Sequence, residues 1–270
     1  MRKIIITFIL LLGLCPLFNL QFSTLKAQNL YIGSFYVTSS TEEANYGDGR
    51  DKWTTRLGII TDLLNFEQPD VMGLQALTET QLSQISKRMT SHNVAGDILY
   101  SKSLQLDSCN TVSDMPEGST CSWAKLQKDG KAFYVFNICF STENSVALTS
   151  ANRVRDAAAE INSENLPCFV IGFLGVTESK TPYTRLTAKY YDCYKQASVV
   201  SAEYGTVNNF DLENNHSSDR YDYIFASKTV SVKAYGQLQS GYYTLESDNT
   251  YKRRTPSTHF PVMAKVVLPK

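Results

Sequence analysis

Three histidines, His92, His216 and His259, and six cysteines are the side chains of this 270-residue chain with the widest chemical range near neutral pH. An imidazole moves protons, and a thiolate attacks carbon or holds a metal. No Cys/His spacing here matches a zinc site, and the histidines are scattered. Cys139 and Cys168 sit in apolar runs and read as small buried hydrophobes. Cys109 and Cys121 flank NTVSDMPEGST, a polar, turn-rich loop that a disulfide could close. Loops after strand ends are the other usual seat of chemistry. In FVIGFLGVT (169–177) that position holds Phe173 and Leu174, with no carboxylate, amide or imidazole.

The chain opens MRKIIITFILLLGLCPLFNLQFSTLKAQ: a basic start, an apolar run and a small residue at Ala27. That is the layout of a secretory signal peptide, residues 1–27, and it predicts export to the periplasm, cell surface or extracellular space. An uncleaved anchor would need about 20 unbroken apolar residues, and Pro16 and Asn19 interrupt this run. Lipid attachment at Cys15 is disfavoured by the bulky Leu14 before it. Residues 28–270 suit one domain, a monomer, with no membrane span. An exported chain permits disulfides, so Cys109–Cys121 is the expected bridge. Five cysteines lie beyond the leader, so at least one thiol stays unpaired within a monomer.

Acidic and basic residues balance at 26 each, and the leader removes Arg2, Lys3 and Lys26 but no acid. The slightly acidic remainder carries no strong signal for nucleic acid. KRR at 252–254 is the one dense basic cluster and reads as a solvated loop.

The elements that must position any site come from periodicity. Strand-like runs fall at 30–37, 70–74, 97–101, 121–127, 132–140, 168–172, 221–227, 230–238 and 259–268. Helical spacing appears at 53–67, 78–89 and 146–162. Pro69 stops the first of these, and Asp129 and Gly130 mark a hairpin tip. AFYVFNICF (132–140) is apolar almost throughout and predicts a strand buried on both faces.

Five of these segments, in order, resemble the endonuclease/exonuclease/phosphatase superfamily of metal-dependent phosphodiesterases. They are GDGRDKWTTRLGIITDLLNFEQPDVMGLQ (47–75), FYVFNICF (133–140), LPCFVIGFLGV (166–176), RYDYIFAS (220–227) and STHFPVMAKV (257–266). The resemblance spans nearly the whole chain after the leader. It implies a DNase I-like α/β fold: a four-layer α/β/β/α sandwich of two mixed, mainly antiparallel sheets, with the site where both sheets' strands end.

Carried over position by position, the resemblance also implies loss. Tyr36 stands where the family has Asn at the end of its first strand. Ala76, in GLQA, replaces the metal-binding Glu, and Cys139, in NIC, replaces a His. Phe173 and Gly175 replace the Asp and Asn of Gly-Asp-Phe-Asn. Thr258 replaces the Asp that would orient the last histidine, leaving His259 alone of seven core positions; Asp222 and the flanking Asn137 persist. The family uses Mg²⁺, which needs hard oxygen ligands; with both carboxylates gone, no metal site and no cofactor are expected. Losing one positioned acid or base costs about 10²–10⁴ in rate.

The leading expectation is therefore a pseudoenzyme that binds an unidentified ligand or protein partner, or serves as scaffold. A divergent phosphodiesterase with a relocated site around His259 and Asp222, aided by Asn137 and Tyr36, is the alternative. The structural reading of that pair is a bond from Asp222 to nearby backbone and from His259 to a strand-end carbonyl. A third expectation is a carbohydrate-binding module using Tyr190, Tyr191, Tyr242 and Tyr243. Trp53 and Arg56 match the family's helix entry and read as helix packing. Arg153 and Arg155 read as solvated.

Overall fold

The structure, a computed structural model, describes residues 29–46, 49–202, 205–212 and 217–269. The leader, with Cys15, and His216 lie outside these residues. The described strands are β1 (Asn29–Tyr36), β2 (Val71–Gln75), β3 (His92–Ala95), β4 (Ile98–Ser101), β5 (Gln105–Thr111), β6 (Thr120–Lys128), β7 (Lys131–Cys139), β8 (Cys168–Phe173), β9 (Tyr190–Asp192), β10 (Val199–Ser201), β11 (Asp222–Ser227), β12 (Ser231–Gln237), β13 (Tyr242–Leu245), β14 (Tyr251–Arg254) and β15 (Val262–Val267). The helices are α1 (Trp53–Glu67), α2 (Glu79–Arg88), α3 (Asn144–Ile161), α4 (Thr181–Thr187) and α5 (Cys193–Gln196).

Local chemistry fixes several boundaries. Thr78 and Gln81 close a capping box over the start of α2, and Lys87 and Arg88 oppose the dipole at its end. Helix α1 ends in a left-handed Gln68 (φ +47°) just before Pro69. Asp129 and Gly130 both take positive φ, so the β6–β7 hairpin turns in the sense that suits strand twist.

One sheet runs β10-β12-β15-β1-β2-β4-β3 and the other β5-β6-β7-β8-β11-β9; β13 and β14 form a separate hairpin. Parallel pairs are β1–β2, β7–β8 and β10–β12, and the rest are antiparallel. Alternation along each strand sorts residues into three cores. Ile32, Val71, Val135, Phe169, Ile171 and Ile224 fill the space between the sheets. Phe136, Ile138 and Val170 face α3 and α4. Phe35, Met72 and Leu74 face α1 and α2. The result is the expected α/β/β/α sandwich, with β7 buried on both faces.

The expected Cys109–Cys121 bridge is corrected: both thiols are free. The segment around Cys109 is not a loop flank but strand β5, where Cys109 pairs with Ala124. Cys121 is three residues from Ala124, so it lies about 10 Å along the strand and on the opposite face. A disulfide needs Cα atoms within about 7 Å and converging side chains. The 252–254 cluster is also corrected. It forms β14, and Arg254 is buried, paired with Asp51 at 2.8 Å and Glu246 at 3.2 Å.

Gly172 shows how closely β8 lies on β7. Its φ is +137°, and a Cβ there would sit 1.9 Å from the Ile138 carbonyl oxygen. Both the strain and the clash involve backbone, which cannot swing aside. Gly172→Ala is expected to cost about 2–3 kcal/mol, the upper range for overpacking, read as a shift in the urea midpoint. An unchanged midpoint would show that β8 can slide.

Candidate functional site

Period-two alternation brings the sequence-nominated residues to one place. In β7 the inward side chains are Val135, Asn137 and Cys139; in β8 they are Phe169, Ile171 and Phe173; in β11 they are Asp222, Ile224 and Ala226. Register pairs Cys139 with Phe173 and Phe173 with Asp222, so these three form one row at the end of the sheet. From the facing sheet, β1 ends at Tyr36, and Ala76 follows β2. Thr258 and His259 lie just before β15, held by a bridge between His259 and Val207.

His259 is not without an aspartate. Its Nδ1 lies 2.7 Å from Asp222 Oδ2, and both side chains are buried. The expectation that Thr258 leaves the histidine without an orienting aspartate is thus corrected, as are the separate backbone bonds expected for Asp222 and His259. Thr258 instead exchanges a hydroxyl bond with Thr38 at 2.6 Å. The other oxygen of Asp222, Oδ1, is buried and has no hydrogen-bond partner among the described residues.

Aromatic rings cover the imidazole. Tyr36 stacks on it at 4.1 Å between centroids and 20° between planes. Phe173 meets it edge-on at 5.4 Å and touches Tyr36 at 4.9 Å. The Tyr36 hydroxyl donates to both oxygens of Glu42, at 3.0 and 3.1 Å. Burial and then that carboxylate push the phenol above its usual range. It stays neutral and tethered.

Asn137 is a bridge between the sheets. Its Nδ2 donates to the Leu74 carbonyl at 2.9 Å, and its Oδ1 accepts from Gln75 Nε2 at 2.6 Å. Gln75 Oε1 accepts in turn from Ser34. The sheets approach so closely here that a Cβ on Gly73 would lie 2.3 Å from Asn137 Oδ1. Asn137 is thereby spent on structure.

Arg56 does more than pack a helix. It is fully buried and donates to the carbonyls of Asp51, Val37, Thr38 and Pro256 and to the Glu43 carboxylate. Val37 and Thr38 follow Tyr36, and Pro256 precedes the segment carrying His259. Arg56 therefore fixes two of the loops that shape the cleft. Arg153 and Arg155 are half-exposed; Arg153 holds the Ser113 carbonyl, and Arg155 meets Asp156.

The cleft does not fit Mg²⁺. Ala76 and Phe173 offer no side-chain oxygen, Glu42 is taken by Tyr36 and Asp222 by His259, which leaves Asp97 and the exposed Glu79 as the carboxylates on the Ala76 side. Among the described residues, no three His, Cys, Asp or Glu side chains gather as a metal-binding group. Burial pushes the Cys139 thiol up to about 12, which keeps it protonated and a poor nucleophile. Gly175 has no room for the Asn that the resemblance puts at this position. Its φ is +76°, and a Cβ would fall 2.2 Å from the Ser141 carbonyl oxygen.

Sequence reasoning missed Glu42, the anchor of Tyr36, and Asp97, which lies beside Ala76 and Cys139 along the same cleft. Glu42 sits in a stretch with no periodicity. Asp97 directly follows Gly96 at a β-turn (φ +61°), a signal that was there to read. The tyrosine pairs divide: Tyr190 is buried, Tyr242 bonds Asp51 at 2.6 Å, and Tyr191 and Tyr243 are exposed.

No protein-family model matches the chain, and neither does any curated protein. Solved structures do match. An endonuclease/exonuclease/phosphatase family protein from Bacteroides thetaiotaomicron is 24% identical, with 90% of this chain and 99% of that one covered and a TM-score of 0.82. A mannosyl-6-phosphatase from the same organism is also 24% identical, with 88% and 100% covered and a TM-score of 0.80. Truncated TDP2 from Caenorhabditis elegans is 16% identical, with 88% and 98% covered and a TM-score of 0.65. The chain has the DNase I-like fold of the endonuclease/exonuclease/phosphatase proteins. At these identities the likeness carries the fold alone.

Proposed function

We propose that this protein is an exported, non-catalytic form of the fold, whose strand-end cleft binds a ligand rather than hydrolysing one. One observation carries the reading: Tyr36 and Phe173 pack on His259, where a phosphoester would have to meet an acid or base. Gly175 supports it further, because its backbone excludes any side chain at that position. The export part of the proposal rests on the leader sequence.

The expected result is no metal-stimulated turnover of bis-nitrophenyl phosphate, inositol phosphates, sphingomyelin, DNA or mannose 6-phosphate esters. The last probe is chosen because one structural neighbour is a mannosyl-6-phosphatase. Turnover that EDTA abolishes and Mg²⁺ restores would overturn the reading.

A hydrolase with a relocated site is the second reading. It is favoured by the 2.7 Å carboxylate–imidazole pair, an arrangement that elsewhere makes a general base. Its test is the response to His259→Ala taken up in the Discussion.

A further inference from the structure

Next to the row that carries Phe173, on the Cys139 side, lies a cavity of about 550 Å³, within the range of small-molecule sites of about 300–1,000 Å³. Ala76 and Cys139 line it, at positions where the resemblance puts a metal-binding Glu and a His. Leu77 and Leu82 join them from the β2–α2 side, and Val112 and Met115 from the β5–β6 side. The replaced residues have thus turned a charged corner into an apolar one.

The charge that remains has one sign. Asp97 and Glu79 line the cavity, and among the described residues no Lys, Arg or His does. Glu79 is exposed, at the start of α2. Asp97 accepts from the Ser122 hydroxyl, and burial raises its carboxyl above the usual range. Arg153, the base close to Cys121, is occupied with the Ser113 carbonyl and does not line the cavity. A phosphate here would meet two carboxylates and no cation, a costly burial. An ammonium group would pair with Asp97 and offset its desolvation.

We infer that this cavity takes an amphipathic amine, with an apolar body along Leu77, Leu82 and Met115 and a single ammonium head against Asp97. The inference deepens the binding reading above and rests on it. It reverses the charge preference expected of a phosphoesterase cleft.

Titration calorimetry of the full chain without its leader tests it, using n-octylamine, n-octanol and n-octyl phosphate as probes. Octylamine should bind at least tenfold more tightly than octanol, and octyl phosphate more weakly than either. Asp97→Asn should bring octylamine down to the octanol level and leave octanol unchanged. Met115→Trp, on a half-buried loop position, should weaken both by filling the cavity. Octyl phosphate binding as tightly as the amine, no detectable amine binding, or an amine preference that survives Asp97→Asn would each overturn the inference. Phosphate-ester turnover is measured on the same samples. Turnover with the amine preference intact overturns only the non-catalytic reading. No turnover and no amine preference overturns only this inference.

Discussion

Arg56→Ala is expected to lower stability by at least about 4 kcal/mol, an exceptional value for one substitution. The side chain has no exposed surface and supplies five hydrogen bonds from one planar group. Four of its partners are backbone carbonyls in turns and loops; that of Thr38 keeps a second donor, Gln81 Nε2 at 3.3 Å, and the others have no ladder to fall back on. Leaving a buried acceptor unsatisfied costs about 1–3 kcal/mol each, and water entering the space recovers part of this. Trp53 and Phe210 also lose the guanidinium that lies 5.3 and 5.4 Å from their ring centres. For a domain of this size the melting temperature should fall by about 10 °C or more. Arg56→Lys should recover less than half of the loss. A single ammonium has three donors for five acceptors, although its methylenes still pack. A drop under about 3 °C for Arg56→Ala would return the residue to simple helix packing.

What the sequence made legible follows from where physical signals lie. AFYVFNICF announced a doubly buried strand because both of its faces touch a core. β5 was invisible. QLDSCNT has no apolar alternation, because it is an edge strand exposed along most of its length. Missing it produced the false disulfide: a loop could have folded Cys109 back on Cys121, whereas a strand cannot. The short β3, β9, β10, β13 and β14 escape the sequence reading for the same reason of size and polarity. At the site, the sequence nominates His259 and Asp222 for one relocated site but does not disclose the bond between them. They are 37 residues apart, and only the antiparallel pairing of β8 with β11 carries Asp222 to the strand end where His259 arrives. Arg56 reads from the sequence as helix packing. Its targets are carbonyls, which every residue possesses, so no pattern of side chains could disclose them.

The other large effect expected is at His259. If the imidazole is a structural strut, His259→Ala should cost about 4 kcal/mol, within the range for leaving a buried carboxylate uncompensated. The reason is what remains behind. Asp222 is fully buried, and its Oδ1 already lacks a partner. Without His259 the Oδ2 loses its partner as well, leaving a carboxylate with no bond to either oxygen. Tyr36 and Phe173 lose the ring between them, which adds a cavity to the electrostatic loss. The melting temperature should fall by roughly 8–16 °C, at about 2–4 °C per kcal/mol. Asp222→Asn separates the two contributions. An amide oxygen can still accept from the ring and leaves no charge stranded, so it should cost less than about 1.5 kcal/mol, near one ordinary hydrogen bond. A catalytic pair predicts the opposite pattern. There, His259→Ala would abolish turnover of a phosphate ester with little change in melting, and Asp222→Asn would cripple the rate by fixing the wrong tautomer. Thermal melts and turnover measured together on these two variants therefore decide between strut and catalyst, because no single role for the pair yields both patterns.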